Sequence, residues 1–175
     1  MKVLIAYATT EGQTRKIVRY AADWLADKGH SVELWPAAET GDVEIEHFDR
    51  VILAGSVHLG RFQRELEVFA ARHKAMLDKN ETLFLAVSLA AAGTEPEDRA
   101  GLDDVVKAFT DKTGWVPKRV EHIAGAFRFT HYDFFRSWAM RWIASQRGET
   151  VDPSVDREYT DWAALGATLA DWLAK

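Results

Sequence analysis

Lys2-Val3-Leu4-Ile5-Ala6-Tyr7-Ala8, followed at once by Thr9-Thr10-Glu11-Gly12-Gln13-Thr14, is the stretch on which the reading of the fold turns. Its first seven residues are apolar almost without interruption, which suits a strand covered on both faces rather than one with a wet side. The six that follow are small or hydroxyl-bearing, with one glycine, and open straight into Gln13 to Lys28. There Ile17, Tyr20, Ala21, Trp24 and Leu25 recur at helical spacing, and Gly29 stands where a C-terminal cap belongs. A buried strand, a tight turn and an amphipathic helix form the first part of a βαβ unit.

The same alternation continues along the chain. His30 to Trp35, Arg50 to Ser56, Thr82 to Ser88 and Val120 to Phe129 read as four further strands. Phe62 to Leu77 reads as a helix with Leu66, Phe69, Ala70, His73 and Leu77 on one stripe, and Pro96 to Thr113 as another, closed by Gly114. Thr160 is the expected N-cap of a last helix, Asp161 to Ala174, whose stripe holds Trp162, Leu165, Leu169 and Trp172. Strands alternating with helices over short connections predict an α/β fold, a right-handed, doubly wound parallel sheet in one domain spanning 1–175.

Composition narrows the chemistry. The chain has 175 residues, Lys+Arg 22 against Asp+Glu 27, a formal net charge of -5 and no cysteine. Without thiols there are no disulfides, no thiolate metal sites and no cysteine nucleophile, so redox chemistry would fall to a bound cofactor. The mild acidity argues against nucleic acid as a partner. No apolar run reaches the ~20 residues that span a bilayer. The expected location is therefore cytoplasmic, with any membrane contact made from the surface. His30, His47, His73, His122 and His131 show no metal-ligand spacing, and no metal site is expected.

Ligands of doubly wound sheets sit outside the carboxyl ends of the strands. After the first strand, Thr9, Thr10, Gly12 and Thr14 suit a backbone nest for a phosphate at a helix N-terminus, and they equally suit an ordinary capped turn. The hexapeptide is neither a GxGxxG fingerprint nor a Walker loop.

On these residues the chain resembles the flavodoxin family. Thr9 to Thr14 is similar to that family's FMN-phosphate loop, Ser56-Val57-His58-Leu59-Gly60 to its second flavin loop, and Ser88-Leu89-Ala90-Ala91-Ala92-Gly93 to its third. The resemblance implies a five-stranded sheet of order 2-1-3-4-5 with helices on both faces, and FMN held by Thr9, Thr10, Glu11, Gly12, Gln13, Thr14 and the two later loops. Glu11 stands where many members have a hydroxyl residue. A carboxylate repels a phosphate, so Glu11 is expected to point outward while main-chain amides and the three threonines hold the anion. Electron-carrier members usually clamp the flavin between aromatic rings of the second and third loops, and neither loop has one here. An uncovered flavin face favours an enzyme with a flat substrate over a shuttle. His58 is the one side chain of these loops that changes charge near neutral pH. It is the candidate catalytic group, with a loop or packing role as the alternative.

Between the fifth strand and the last helix the chain inserts residues 131–159, beginning HYDFFRSWAMRWIASQR. On a helical wheel Tyr132, Phe134, Phe135, Trp138, Ala139, Trp142 and Ile143 share an arc opposite Asp133, Arg136, Ser137, Arg141 and Arg147. Aromatic and basic residues on one helix suit a membrane surface, a flat carboxylate-bearing substrate, or burial against the sheet or a second copy in a homodimer.

With Glu11-Gly12-Gln13-Thr14, Ile123-Ala124-Gly125-Ala126 leading to Arg128-Phe129, Gly148-Glu149-Thr150 and Tyr159-Thr160-Asp161-Trp162, the chain resembles the oxygen-independent protoporphyrinogen IX dehydrogenase branch. The resemblance implies a peripheral membrane enzyme of haem biosynthesis that oxidises a tetrapyrrole with a respiratory quinone as acceptor. Arg128, Arg136 and Arg141, with Trp138 and Trp142, are the expected substrate or membrane contacts. A soluble electron carrier and an NAD(P)H-dependent quinone reductase are the alternatives, and no nicotinamide fingerprint supports the second.

Overall fold

The computed structural model describes residues 1–39, 45–93, 96–127 and 157–175, with 96–99 and 127 described by their backbone. In chain order the elements are β1 (Lys2–Ala8), α1 (Gln13–Asp27), β2 (Ser31–Pro36), β3 (Arg50–Ser56), α2 (Arg64–Arg72), α3 (Lys74–Leu77), β4 (Glu81–Ser88), α4 (Pro96–Thr113), β5 (Arg119–Ala124), β6 (Ala126–Phe127), β7 (Arg157–Glu158) and α5 (Trp162–Leu173). The main sheet runs β2-β1-β3-β4-β5 with every neighbouring pair parallel, as expected. Strand order reverses between β1 and β3, and the loops that follow those strands open beside each other.

Side chains alternate across each strand, so the unbroken apolar runs feed two cores. Val3, Ile5, Ile52, Ala54, Leu83 and Leu85 face α1 and α5, where Ile17, Leu25, Leu165 and Trp172 are fully buried. Leu4, Ala6, Val51, Leu53, Phe84 and Ala86 face α2 and α4. On that second side Phe62, Phe84 and Phe109 pack with ring centroids 5.0 to 5.3 Å apart, and Trp115 meets the Phe84 ring edge-on. Gly29 caps α1 as read from the sequence: at φ 85° it takes a left-handed conformation, and His30 N–H reaches back to the Leu25 carbonyl at 3.2 Å.

Several boundaries differ from the expectation. The helix expected over 62–77 pauses at His73, whose backbone leaves the helical region (φ -99°, ψ 11°). Asp161, not Thr160, caps the last helix, its carboxylate accepting from Ala164 N–H at 2.9 Å. Thr160 donates its hydroxyl to the Ala124 carbonyl at 2.7 Å instead. The fifth strand ends at Ala124, because Gly125 turns its N–H to the Ser88 carbonyl and its own carbonyl to Tyr159 N–H. Beyond it, Ala126 and Phe127 leave the main sheet and pair antiparallel with Glu158 and Arg157. The last residues of the expected 131–159 insertion are thus a strand at its base, and the aromatic-basic helix read from the sequence lies outside the described residues.

Candidate functional site

The carboxyl ends of β1, β3, β4 and β5 converge on an open cleft. Thr9, Thr10, Glu11, Gln13 and Thr14 form one wall, Ser56, Val57 and His58 a second, and Val87, Ser88, Leu89, Gly125 and Ala126 the rest. None of these is Phe, Tyr or Trp.

The first wall is organised by Gly12. Its left-handed conformation (φ 90°) turns its own N–H onto Thr9 Oγ1 at 2.9 Å, and its carbonyl accepts the first helical bond from Lys16 at 3.2 Å. The Gln13 and Thr14 amides lie in the first turn of α1, where no intrahelical carbonyl is available to them. They sit at the positive end of the helix dipole. The Thr14 side chain is fully buried, and its hydroxyl has no hydrogen-bond partner among the described residues. A buried hydroxyl left unpaired costs about 1–3 kcal/mol, so its position asks for a ligand. Thr10 Oγ1 accepts from Gln63 Nε2 at 2.9 Å. Thr9 and Thr10 therefore both serve as acceptors toward the protein and retain a hydroxyl proton to donate. Neutral donors around a helix N-terminus fit a phosphate monoester. Glu11 also contributes to the lining and is half-buried rather than fully turned to solvent.

Gln63 was not among the residues singled out from the sequence, yet it ties two walls together. Its amide nitrogen also donates to Ser56 Oγ at 2.6 Å, and its carbonyl oxygen accepts from Ser56 N–H at 3.2 Å. Gly55, just before, must be small: a Cβ there would come within 2.5 Å of Leu66 Cδ2.

Gln13 presents its backbone to the cleft while its side chain turns away, donating to Thr160 Oγ1 at 3.0 Å and Glu158 Oε2 at 3.1 Å. Lys16 donates to the same carboxylate at 2.6 Å, and Trp162 Nε1 to its other oxygen at 3.0 Å. Burial alone would raise the Glu158 carboxyl, but the donors Lys16, Gln13 and Trp162 outweigh it and hold the group below the usual carboxylate range. This clip fastens β7, and through it Ala126 of β6, against the N-terminal turns of α1.

Not every residue expected in the cleft reaches it. Leu59 and Gly60 form the tip of the second loop, outside the lining. Ser88 Oγ accepts from Ala91 N–H at 3.1 Å and starts a 3-10 turn over Ala90–Ala92. That turn carries Ala90, Ala91 and Gly93 into a neighbouring cleft with Asp103 and His122. Val87, Gly125 and Ala126 take those places. Val87 is the penultimate residue of β4, and Gly125 is where the backbone leaves the main sheet. Arg128, Arg136, Arg141, Trp138 and Trp142 lie outside the described residues. Among the described residues no group of His, Asp and Glu could hold a metal ion, and no helix is long and apolar enough to cross a membrane.

A doubly wound sheet of this order, with a phosphate-type loop at its switch point, defines a flavodoxin-like protein. Residues 4–154 match the family model of the flavodoxin domain, and the chain belongs to that family, which implies a flavin cofactor. Among solved structures it is similar to a short-chain flavodoxin associated with a non-canonical PDU bacterial microcompartment (TM-score 0.57, 12% identity, 99% of this chain and 97% of that one). It is also similar to oxidised flavodoxin 2 from Bacillus cereus (TM-score 0.54, 18% identity, 83% and 99%). More particularly, the sequence is similar to a protoporphyrinogen IX dehydrogenase (quinone) of Escherichia coli strain K12, 29% identical over 163 residues that cover 93% of this chain and 89% of that protein. A protein of the same name from Leishmania major is 26% identical over 174 residues, 99% of this chain and 75% of the relative.

Proposed function

We propose that the cleft holds FMN and that this chain oxidises protoporphyrinogen IX, passing the electrons to a quinone. For the cofactor, one observation carries the reading: a fully buried threonine hydroxyl without a partner in the first turn of α1, where a flavin ending in phosphate would supply the acceptor. For the reaction, support comes from the near full-length match to relatives of that name and from the lack of Phe, Tyr and Trp among the described residues of the lining, which leaves room for a flat substrate.

Bound FMN supplies reversible two-electron chemistry, which a protein without cysteine cannot supply from its own side chains. The Gln13 and Thr14 amides and the hydroxyls of Thr9, Thr10 and Thr14 hold the phosphate. Ser56, Val57, Val87, Ser88 and Leu89 border the space for the ring. His58, half-buried in the lining, holds or passes a proton as the substrate loses hydrogen. The arginines Arg128, Arg136 and Arg141, with Trp138 and Trp142, meet the substrate's carboxylates or lipid phosphates, which puts the enzyme on the cytoplasmic face of the membrane where quinones reside. The same aromatic arc would serve a homodimer.

The test is anaerobic. The purified protein should be yellow, or become so with micromolar FMN; protoporphyrinogen should bleach it, and a quinone should restore the colour. Protein that stays colourless and refuses FMN defeats the cofactor reading. Fast bleaching by NAD(P)H with none by porphyrinogen would make it a nicotinamide-linked quinone reductase, and cycling one electron at a time would make it a carrier.

A further inference from the structure

Glu158 closes a ring of contacts behind the phosphate-type turn. Gln13 is 8% exposed, and both hydrogens of its side-chain amide are used, one on Glu158 Oε2 at 3.1 Å and one on Thr160 Oγ1 at 3.0 Å. Thr160 in turn donates to the Ala124 carbonyl at the end of β5. One turn along α1, Lys16 donates to the same Glu158 oxygen at 2.6 Å, and its ammonium lies 5.3 Å from the centre of the Trp162 ring. Trp162, the first residue of α5, donates to the other Glu158 oxygen and packs on Tyr20 with ring centroids 5.0 Å apart. In this way α1, β5, β7 and α5 meet at one carboxylate and one hydroxyl.

The turn needs such a brace because its own sequence lacks one. A helix start is ordinarily held by an N-cap side chain or by an acid in the first turn. Here the N-cap is Gly12, which has no side chain, and Gln13, Thr14, Arg15 and Lys16 include no acid. Glu158 supplies the missing anchor from 145 residues away along the chain. It holds residues 13 and 16, which stand three apart and share one face of α1. Thr14 lies on a neighbouring face, with its buried hydroxyl unpartnered among the described residues. With its side chain fixed at the back, Gln13 keeps its main-chain N–H, unbonded within the helix, for the cleft. Lys16 balances the carboxylate, so the brace adds no net charge where an anion is to bind.

We infer that Gln13 and Glu158 are positioning residues for the cofactor phosphate. The bond between their side chains holds the first turn of α1 in the conformation that aims the Gln13 and Thr14 amides at the phosphate, and it couples phosphate binding to the pairing of β6 with β7. Such coupling is reciprocal: a phosphate bound at the turn steadies β7, and loss of the β7 carboxylate loosens the phosphate. The inference rests on the FMN reading given above.

A clip that only stabilised the fold would not distinguish a flavin with a phosphate from one without. The test therefore compares FMN with riboflavin on the full chain, by quenching of flavin fluorescence. Gln13→Leu keeps the bulk of the side chain and removes both donated bonds. Its dissociation constant for FMN should rise on the order of tenfold, while that for riboflavin stays within about twofold of the wild type. Glu158→Gln keeps the shape of the side chain but offers one acceptor oxygen to the three donors Gln13, Lys16 and Trp162. It should show the same phosphate-specific loss, several-fold in size, and it serves if Gln13→Leu does not fold. Combining the two substitutions should weaken FMN little beyond Gln13→Leu alone, because the shared bond is already gone. Hydrogen exchange gives a second readout. FMN, and not riboflavin, should slow exchange of the Tyr159 N–H, which bonds the Gly125 carbonyl at 3.0 Å, in the wild type and not in Gln13→Leu. An equal loss for both flavins overturns the inference, as does exchange at Tyr159 that ignores FMN. Wild-type protein that binds neither flavin removes the cofactor reading and this inference together, whereas a wild-type preference for FMN that both folded variants keep removes the inference alone.

Discussion

Replacing Thr14 by Val exchanges a hydroxyl for a methyl of the same shape in the wall of the cleft. Both side chains are β-branched, so the helix pays the same rotamer cost and the backbone of α1 has no reason to move. In the apoprotein the change removes a fully buried polar atom that has no partner among the described residues. Relief of that desolvation is worth about 1–3 kcal/mol. For a chain of this size each kcal/mol moves the melting temperature by roughly 2–4 °C, so apo Thr14→Val should melt several degrees higher. In the proposed FMN complex the same change would delete a hydrogen bond to a charged acceptor, worth about 1.5–3 kcal/mol. The dissociation constant for FMN should therefore rise about 10- to 150-fold. Titration by quenching of flavin fluorescence measures it, and riboflavin, which lacks the phosphate, is the control whose affinity should not change. Unaltered FMN affinity, or an equal loss for riboflavin, would refute the assignment of Thr14 to the phosphate.

Three further substitutions probe the frame around the cleft. Glu158 has a depressed folded-state pKa, so its contribution is complete above the ordinary glutamate range and disappears as pH falls through the lower folded value. Thermal melts of the wild type should consequently lose more stability between about pH 5 and pH 3 than those of Glu158→Gln, and parallel curves would show that the clip carries no charge-dependent energy. Burial, and then the neighbouring Arg72, lower the pKa of His73 and so disfavour its charged form in the fold. Acidification below its ordinary value of 6.5 destabilises the protein through it, and His73→Phe should flatten the melting curve between about pH 7 and pH 5. Gly55→Ala would push a methyl to within 2.5 Å of Leu66 Cδ2 and 3.1 Å of Phe62 Cδ1, both buried, and should lower stability in urea by roughly 1–3 kcal/mol; an unmoved midpoint would mean that α2 yields freely.

Much of the architecture was legible before any coordinates. β1 and β3 carry the residue limits read from their apolar runs, because a strand covered on both faces leaves a signal that does not depend on its neighbours. The first loop was equally visible, since Gly12 and the threonines around it express a local backbone requirement. Boundaries went astray where a distant group competes for the backbone. Gly125 ends the fifth strand because Ser88 and Tyr159 take its hydrogen bonds, and Thr160 gives up the helix cap because its hydroxyl finds the Ala124 carbonyl.

Within the site the division is the same. Residue types and spacing determined that a turn of threonines around one glycine follows the first strand, suited to a phosphate or to an ordinary helix cap, and that no aromatic ring occurs in the second or third loop. Only the tertiary structure decided which donors remain for a ligand. Thr9 is engaged by Gly12, the Gln13 side chain crosses 145 residues of sequence to Glu158, Gln63 joins Thr10 to Ser56, and Thr14 is left over. Periodicity records what each residue needs from solvent, whereas a hydrogen bond between remote side chains exists only once packing has brought its donor and acceptor within about 3 Å.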